Sequence, residues 1–106
     1  MGMLPEFYER FLENFPEVGR TYNELSAACK SAGPLDARTA ELIKVGISIG
    51  GSLRGATRSH TRRALKAGAS QEEIRHAVLM ATTTIGFPGM MTGLAWVEEV
   101  FQEEKG

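Results

Sequence analysis

Proline and glycine cut this chain into pieces of helix length, and that punctuation constrains the fold more than any other feature. Pro5 suits the first turn of a helix, and Phe7, Tyr8, Phe11 and Leu12 recur behind it at helical spacing. Pro16 breaks that helix or restarts it. Val18, Tyr22, Leu25 and Cys29 then follow as i, i+4, i+7 and i+11, an apolar stripe that Gly33-Pro34 closes. Asp36 is a natural N-cap for the next helix. An Ala- and Arg-rich helix runs from Ala56 to Ala67 and ends at Gly68. Ser70-Gln71-Glu72-Glu73 reads as a capping box, with Ile74, Ala77, Val78 and Ala81 on the face behind it. The β-branched run Thr82-Thr83-Thr84-Ile85 predicts fraying. Pro88 restarts a last helix with Met90, Leu94, Val97 and Phe101 on its stripe.

One segment resists this reading. Ile43-Lys44-Val45-Gly46-Ile47-Ser48-Ile49-Gly50 alternates apolar with small or polar residues, the period-two signature of a strand. It also fits a helix with Leu42, Val45, Gly46 and Ile49 on one face. Pattern alone slightly favours the strand. In the helical alternative, Gly46, Ser48 and Gly50 permit a close helix approach despite the propensity cost of glycine.

With 106 residues the chain has the length of one domain, 1–106. Its 42% hydrophobic content and net charge of −1 are those of an ordinary globular protein. No apolar run reaches membrane-spanning length, and the N-terminus lacks the basic and apolar regions of a signal peptide. Cys29 is the single cysteine, so no internal disulfide forms and a cytoplasmic setting is expected. It is expected to be a buried small residue.

The modest net charge hides an asymmetry. No acidic residue lies between Leu42 and Gln71, a span that holds Lys44, Arg54, Arg58, Arg62, Arg63 and Lys66. The acids crowd the two ends, including Glu98, Glu99, Glu103 and Glu104. One reading is a basic face that meets acidic ends of neighbouring helices or subunits. The other is an anion site, with Arg54, Arg58 and Arg62 at i, i+4 and i+8 along one stripe. No aromatic residue lies between Leu42 and Val78, so the basic span lacks stacking groups and nucleic acid is not an expected partner. Two separated histidines and one cysteine give no metal-ligand spacing, so no metal is expected. No glycine-rich phosphate loop is present, and no nucleotide cofactor is indicated. His76 reads as a surface residue, and Trp96 with Met90 and Met91 as core or subunit interface.

The frame around His60 is the most specific motif. Glu41 is followed by Gly51-Ser52-Leu53-Arg54-Gly55-Ala56-Thr57-Arg58-Ser59-His60 and then by a small-residue helix ending in Gly68-Ala69-Ser70. That frame resembles the carboxymuconolactone decarboxylase family and its alkylhydroperoxidase D-like relatives. Leu35 to Leu42 resembles the entry into the family's central helix, and Gly86-Phe87-Pro88 its closing segment. The resemblance covers residues 35 to 101. It implies an all-α, alkylhydroperoxidase D-like bundle of about six helices, with residues 43–50 helical, assembled as a homotrimer or homohexamer.

It also implies a site. Glu41 and His60 stand at the family's proton-relay positions, while Leu53 and Ala56 stand where redox members carry Cys-x-x-Cys. A thiol mechanism needs a thiolate nucleophile and a resolving thiol, and leucine and alanine supply neither. The resemblance therefore points to a decarboxylase-type lyase or isomerase rather than a peroxidase. It would act on a small-molecule carboxylate without cofactor, with His60 and Glu41 catalytic and Arg54 and Arg58 holding the anion. Carboxymuconolactone decarboxylases lack the cysteine pair, whereas a glutamate at position 41 is a feature of the redox branch. The alternatives are a peroxiredoxin-like member in family name alone and a non-catalytic oligomeric scaffold. For Glu41 the bland reading is an i, i+3 ion pair with Lys44.

Overall fold

A computed structural model of the chain describes the backbone of residues 3–105 and the side chains of residues 6–104. The protein is all-α, with no strand among the described residues. Its elements are α1 (Met3–Asn14), α2 (Pro16–Ser31), α3 (Ala37–Gly50), α4 (Arg54–Lys66), α5 (Gln71–Leu79), α6 (Thr82–Ile85) and α7 (Phe87–Lys105). Apart from α6, which is a single turn, these are the expected six helices. They fall into two compact units, Met1–Pro34 and Leu35–Gly106.

The first unit is the α1–α2 pair. Pro16 occupies the first turn of α2, where its missing N–H costs nothing. The rings of Phe11 and Phe15 meet at 5.6 Å between centroids. Gly19 is its one buried residue among those described, with the Leu12 side chain against it. One sequence expectation is corrected here: Cys29, expected to be buried, lies exposed, as does the rest of its stripe, Val18, Tyr22 and Leu25. Periodicity identifies an apolar face but not what covers it.

The second unit carries the core, formed by Val45, Ile49, Ala64, Ala69, Ile74, Val78, Met90, Val97 and Phe101. The ambiguous segment is helix, the last half of α3. Its buried residues, Glu41, Val45, Ser48 and Ile49, recur at helical spacing, while Ile43 and Ile47 face outward. A helix with apolar residues on two faces imitates the alternation of a strand. The close approach expected at Gly46 and Gly50 is absent, since nothing lies within 4 Å of a Cβ built at either. It occurs instead at Gly93 of α7, where Ile49 fills the space of a side chain.

Local signals set the helix ends. The Asp36 carboxylate accepts from the Thr39 N–H at 2.8 Å and starts α3. Gly68, at φ 101°, ends α4 in a conformation that L side chains rarely adopt. The reciprocal Ser70–Glu73 capping box starts α5. The threonine run stops α5 at Leu79 and leaves α6 as a separate turn. Arg75 then ties α5 to α7: it pairs with Glu98 at 2.6 Å and lies 4.8 Å over the Phe101 ring.

Candidate functional site

α3 and α4 form a hairpin joined by Gly51, Ser52 and Leu53, with Ser52 at φ 56° turning the chain back. The antiparallel packing brings Glu41 and His60 together across nineteen residues of sequence. His60 Nδ1 lies 2.8 Å from Glu41 Oε1. The Glu41 side chain is 8% exposed and that of His60 is 20% exposed. An ionised carboxylate only accepts hydrogen bonds, so Nδ1 is the donor and Nε2 is left for another partner. Glu41 is thus partnered by the histidine rather than by Lys44.

The same helix contact is pinned by a polar ladder that the sequence reading missed. Ser48 Oγ donates to the Val45 carbonyl at 2.8 Å and lies 2.8 Å from Thr57 Oγ1. With the serine proton so engaged, Thr57 is the donor of the second bond. Thr61 Oγ1 donates to the Thr57 carbonyl at 2.7 Å. Ser48, Thr57 and Thr61 are all buried. Among the described residues, no buried side-chain nitrogen or oxygen lacks a partner. The ladder fixes the register of the two helices, and with it the meeting of Glu41 and His60. Its only sequence signal was Ser48 between two isoleucines and Thr57 and Thr61 one turn apart.

Leu53 caps α4 and Ala56 lies in its first turn, one turn before His60. Leu53, at the position where the sequence resemblance puts the first thiol of redox members, is 54% exposed and chemically inert.

The arginines belong elsewhere. Arg54 and Arg58 both donate to Glu99 Oε1, at 2.8 and 2.7 Å. Arg58 also pairs with Glu103, and Arg62 reaches Glu103 Oε1 at 3.1 Å. These guanidiniums hold the Glu103 carboxyl below its usual value, Arg58 first and Arg62 second. At 100° per residue, Arg58 lies about 160° from His60 around α4. The structure therefore does not bring Arg54 and Arg58 together with His60 and Glu41 on one face. The anions they hold are carboxylates of α7, as in the reading of a basic face meeting an acidic helix end. His76 is exposed and Trp96 partly buried. No group of three His, Cys, Asp or Glu side chains among the described residues is placed to hold a metal ion. No helix among them is long and apolar enough to cross a membrane.

Fold and site together define a class: an all-α protein whose central helix hairpin holds an imidazole against a buried carboxylate. Residues 16–99 match the carboxymuconolactone decarboxylase family, and the chain belongs to that family. Its structure is similar to the crystal structure of an apo-form carboxymuconolactone decarboxylase family protein from Legionella pneumophila. The TM-score is 0.82 at 25% identity, covering 94% of this chain and 88% of that one. No curated protein matches the chain.

Proposed function

We propose that this protein is a cofactor-free lyase or isomerase acting on a small carboxylate, with His60 as general acid/base and Glu41 as its orienting partner. The observation that carries the reading is the 2.8 Å contact between a buried carboxylate and His60 Nδ1. A hydrogen bond at Nδ1 fixes the ring and aims Nε2 outward, and the carboxylate offsets the charge the ring gains on taking a proton. In a decarboxylation the C–C bond to the carboxyl group breaks and carbon dioxide leaves. The electron pair passes into an adjacent carbonyl system as an enolate, and protonated His60 returns a proton to carbon. An isomerisation uses the same group to remove and replace one proton. Dithiol peroxidase chemistry is not part of the reading, because Leu53 and Ala56 replace the thiols. A cytoplasmic setting is, since Cys29 has no cysteine partner in the chain.

We also propose a homo-oligomer, a trimer or hexamer, in which second copies cover apolar surface. Val18, Tyr22 and Leu25 on α2 and Ile43 on α3 are between 44% and 64% exposed. That is much apolar surface for so small a chain.

The test is proton chemistry. Small unsaturated lactone carboxylates are incubated with the protein in deuterated water, and NMR follows carbon-bound deuterium and carbon dioxide release. Wild type should catalyse one or both. His60→Gln should lose about 10²–10⁴-fold, and Glu41→Gln should lose less because Gln keeps a hydrogen-bond acceptor. Equal rates in wild type and His60→Gln would refute the relay and favour a non-catalytic scaffold.

A further inference from the structure

We propose that the solvent-facing flank of the α3–α4 hairpin binds a small organic acid with an apolar body. Lys44 and Arg63 hold its carboxylate, and Ile47, Leu53 and Ala56 hold the body beside His60 Nε2. The inference deepens the function proposed above and rests on it for the role of Nε2.

Helix geometry places these residues together. On α4, Leu53, Ala56, His60 and Arg63 fall at i, i+3, i+7 and i+10, a single stripe. On α3, Ala40, Lys44 and Ile47 fall at i, i+4 and i+7. The core decides which sides these stripes occupy. Going round α3 from Glu41, Val45 and Ile49 turn one way, into the core, while Lys44 and Ile47 turn the other. Going round α4 from Thr57, Arg58 turns toward α7, and His60, Ala56 and Arg63 turn away. Because the helices are antiparallel, the two outward stripes lie side by side, opposite α7.

Burial and charge agree. Ile47 is 67% and Leu53 54% exposed, and Lys44, Ala56 and His60 are half-buried. In this unit Arg38, Arg54, Arg58, Arg62 and Arg75 are all in ion pairs. The described cations of the unit outside any ion pair are Lys44, Arg63 and Lys66, and two of these three flank His60. Lys44 lies one turn from Glu41, yet Glu41 is committed to His60. Counted from the Glu41–His60 contact, Lys44 lies one turn toward the connecting loop and Arg63 one turn away from it. Helical side chains lean toward the N-terminus of their own helix, so the two free cations lean toward each other past the imidazole, with the apolar shelf on the loop side. Leu53 to His60 spans about 10 Å along the axis and His60 to Arg63 about 4.5 Å, the scale of a single-ring or short-chain acid.

The test uses phenylacetate, with acetate, 2-phenylethanol and inorganic phosphate as comparison probes. Binding is read by calorimetry and by amide shifts in ¹⁵N NMR. Phenylacetate should shift the amides of Lys44, Ile47, Ala56, His60 and Arg63, and acetate and 2-phenylethanol should each bind at least about tenfold more weakly. Lys44→Gln and Arg63→Gln should each weaken phenylacetate about tenfold, whereas Lys66→Gln should not. All three positions are solvent-accessible, and circular dichroism checks the fold of each variant. No wild-type binding at millimolar concentration overturns the proposal, as does binding indifferent to Lys44 and Arg63, or phosphate binding as tightly as phenylacetate. His60→Gln separates the two readings. Phenylacetate binding that needs Lys44 and Arg63, in a protein without turnover, supports this site and refutes the relay. Turnover that needs His60, with binding indifferent to both cations, refutes this site alone.

Discussion

Gly93→Ala should destabilise the protein by about 1–2 kcal/mol, and the reason lies in one side chain. Gly93 is buried in α7. A Cβ built there lies 2.8 Å from each of three Ile49 atoms, Cδ1, Cγ1 and Cγ2. Carbon pairs are optimal at about 3.5–4.0 Å, so the methyl enters roughly 1 Å too close. Ile49 cannot swing clear. A β-branched side chain in a helix has one strongly preferred rotamer, and turning one methyl away brings another in. Ile49 is also 2% exposed, with core on its other sides. Relief requires α3 to move from α7. Overpacking of this kind costs about 1–3 kcal/mol, and the helix-propensity gain of alanine over glycine returns up to about 1 kcal/mol.

Urea unfolding at fixed protein concentration measures the effect, because oligomerisation makes apparent stability concentration-dependent. Gly55→Ala is the opposite-sign control: that position is exposed in α4, with nothing within 4 Å of the added methyl. It should be neutral to stabilising by up to about 1 kcal/mol. Ile49→Ala removes all three clashing atoms and alone should cost about 2–5 kcal/mol. The double variant should cost less than the sum of the singles, since the alanine methyl at 93 enters the cavity. A Gly93→Ala protein at least as stable as wild type, or strict additivity with Ile49→Ala, would refute the reasoning.

Three further outcomes follow from the same geometry. Ser48→Ala leaves the buried Thr57 hydroxyl without an acceptor and should cost about 1–3 kcal/mol, while Ser48→Ala/Thr57→Val should cost less than the sum; additivity in a double-mutant cycle would show that the ladder does not couple. The Glu73 carboxyl is held below its ordinary 4.5 by the Ser70 N–H and then Arg38, and that of Glu103 by Arg58 and then Arg62. Depressed folded-state values contribute stability that is full above about pH 4.5 and lost as pH falls through them, so Glu73→Gln and Glu103→Gln should lower the urea midpoint at neutral pH and converge on wild type as acid protonates the folded-state carboxyls; an undiminished gap in acid would contradict the pairing. Tyr22→Asp and Ile43→Asp should shift light-scattering mass downward, and a wild-type monomer at micromolar concentration would remove the oligomer proposal.

What the sequence made legible is mainly what is settled within a few residues. Asp36, Gly68 and the Ser70–Glu73 box are caps whose partners lie within one turn, so type and spacing suffice to place them. Segment 43–50 was ambiguous because Ile43 and Ile47 face outward while Val45 and Ile49 face inward, and composition does not distinguish a second apolar face from an alternating strand. The close packing expected of Gly46 was found at Gly93, because a glycine in α3 reports only that a neighbour is permitted. Contact also needs a bulky residue aimed at it from another helix.

The site divides along the same line. Glu41 and His60 are nineteen residues apart, and the resemblance of the surrounding frame, rather than any spacing rule, joined them. The arginines had two readable partners, a ligand or the acidic run at positions 98–104. Nothing local separates these, since the α7 carboxylates arrive from more than forty residues away. Once α7 packs on α4, Arg54, Arg58 and Arg62 are neutralised on that flank. The opposite flank keeps His60 and Arg63, with Lys44 across the hairpin. A run of like charges on one helix thus splits into a set that binds the fold together and a set left open to solvent. Which arginine joins which set depends on its angle around α4 relative to α7, and that angle is defined only when the core has chosen its side.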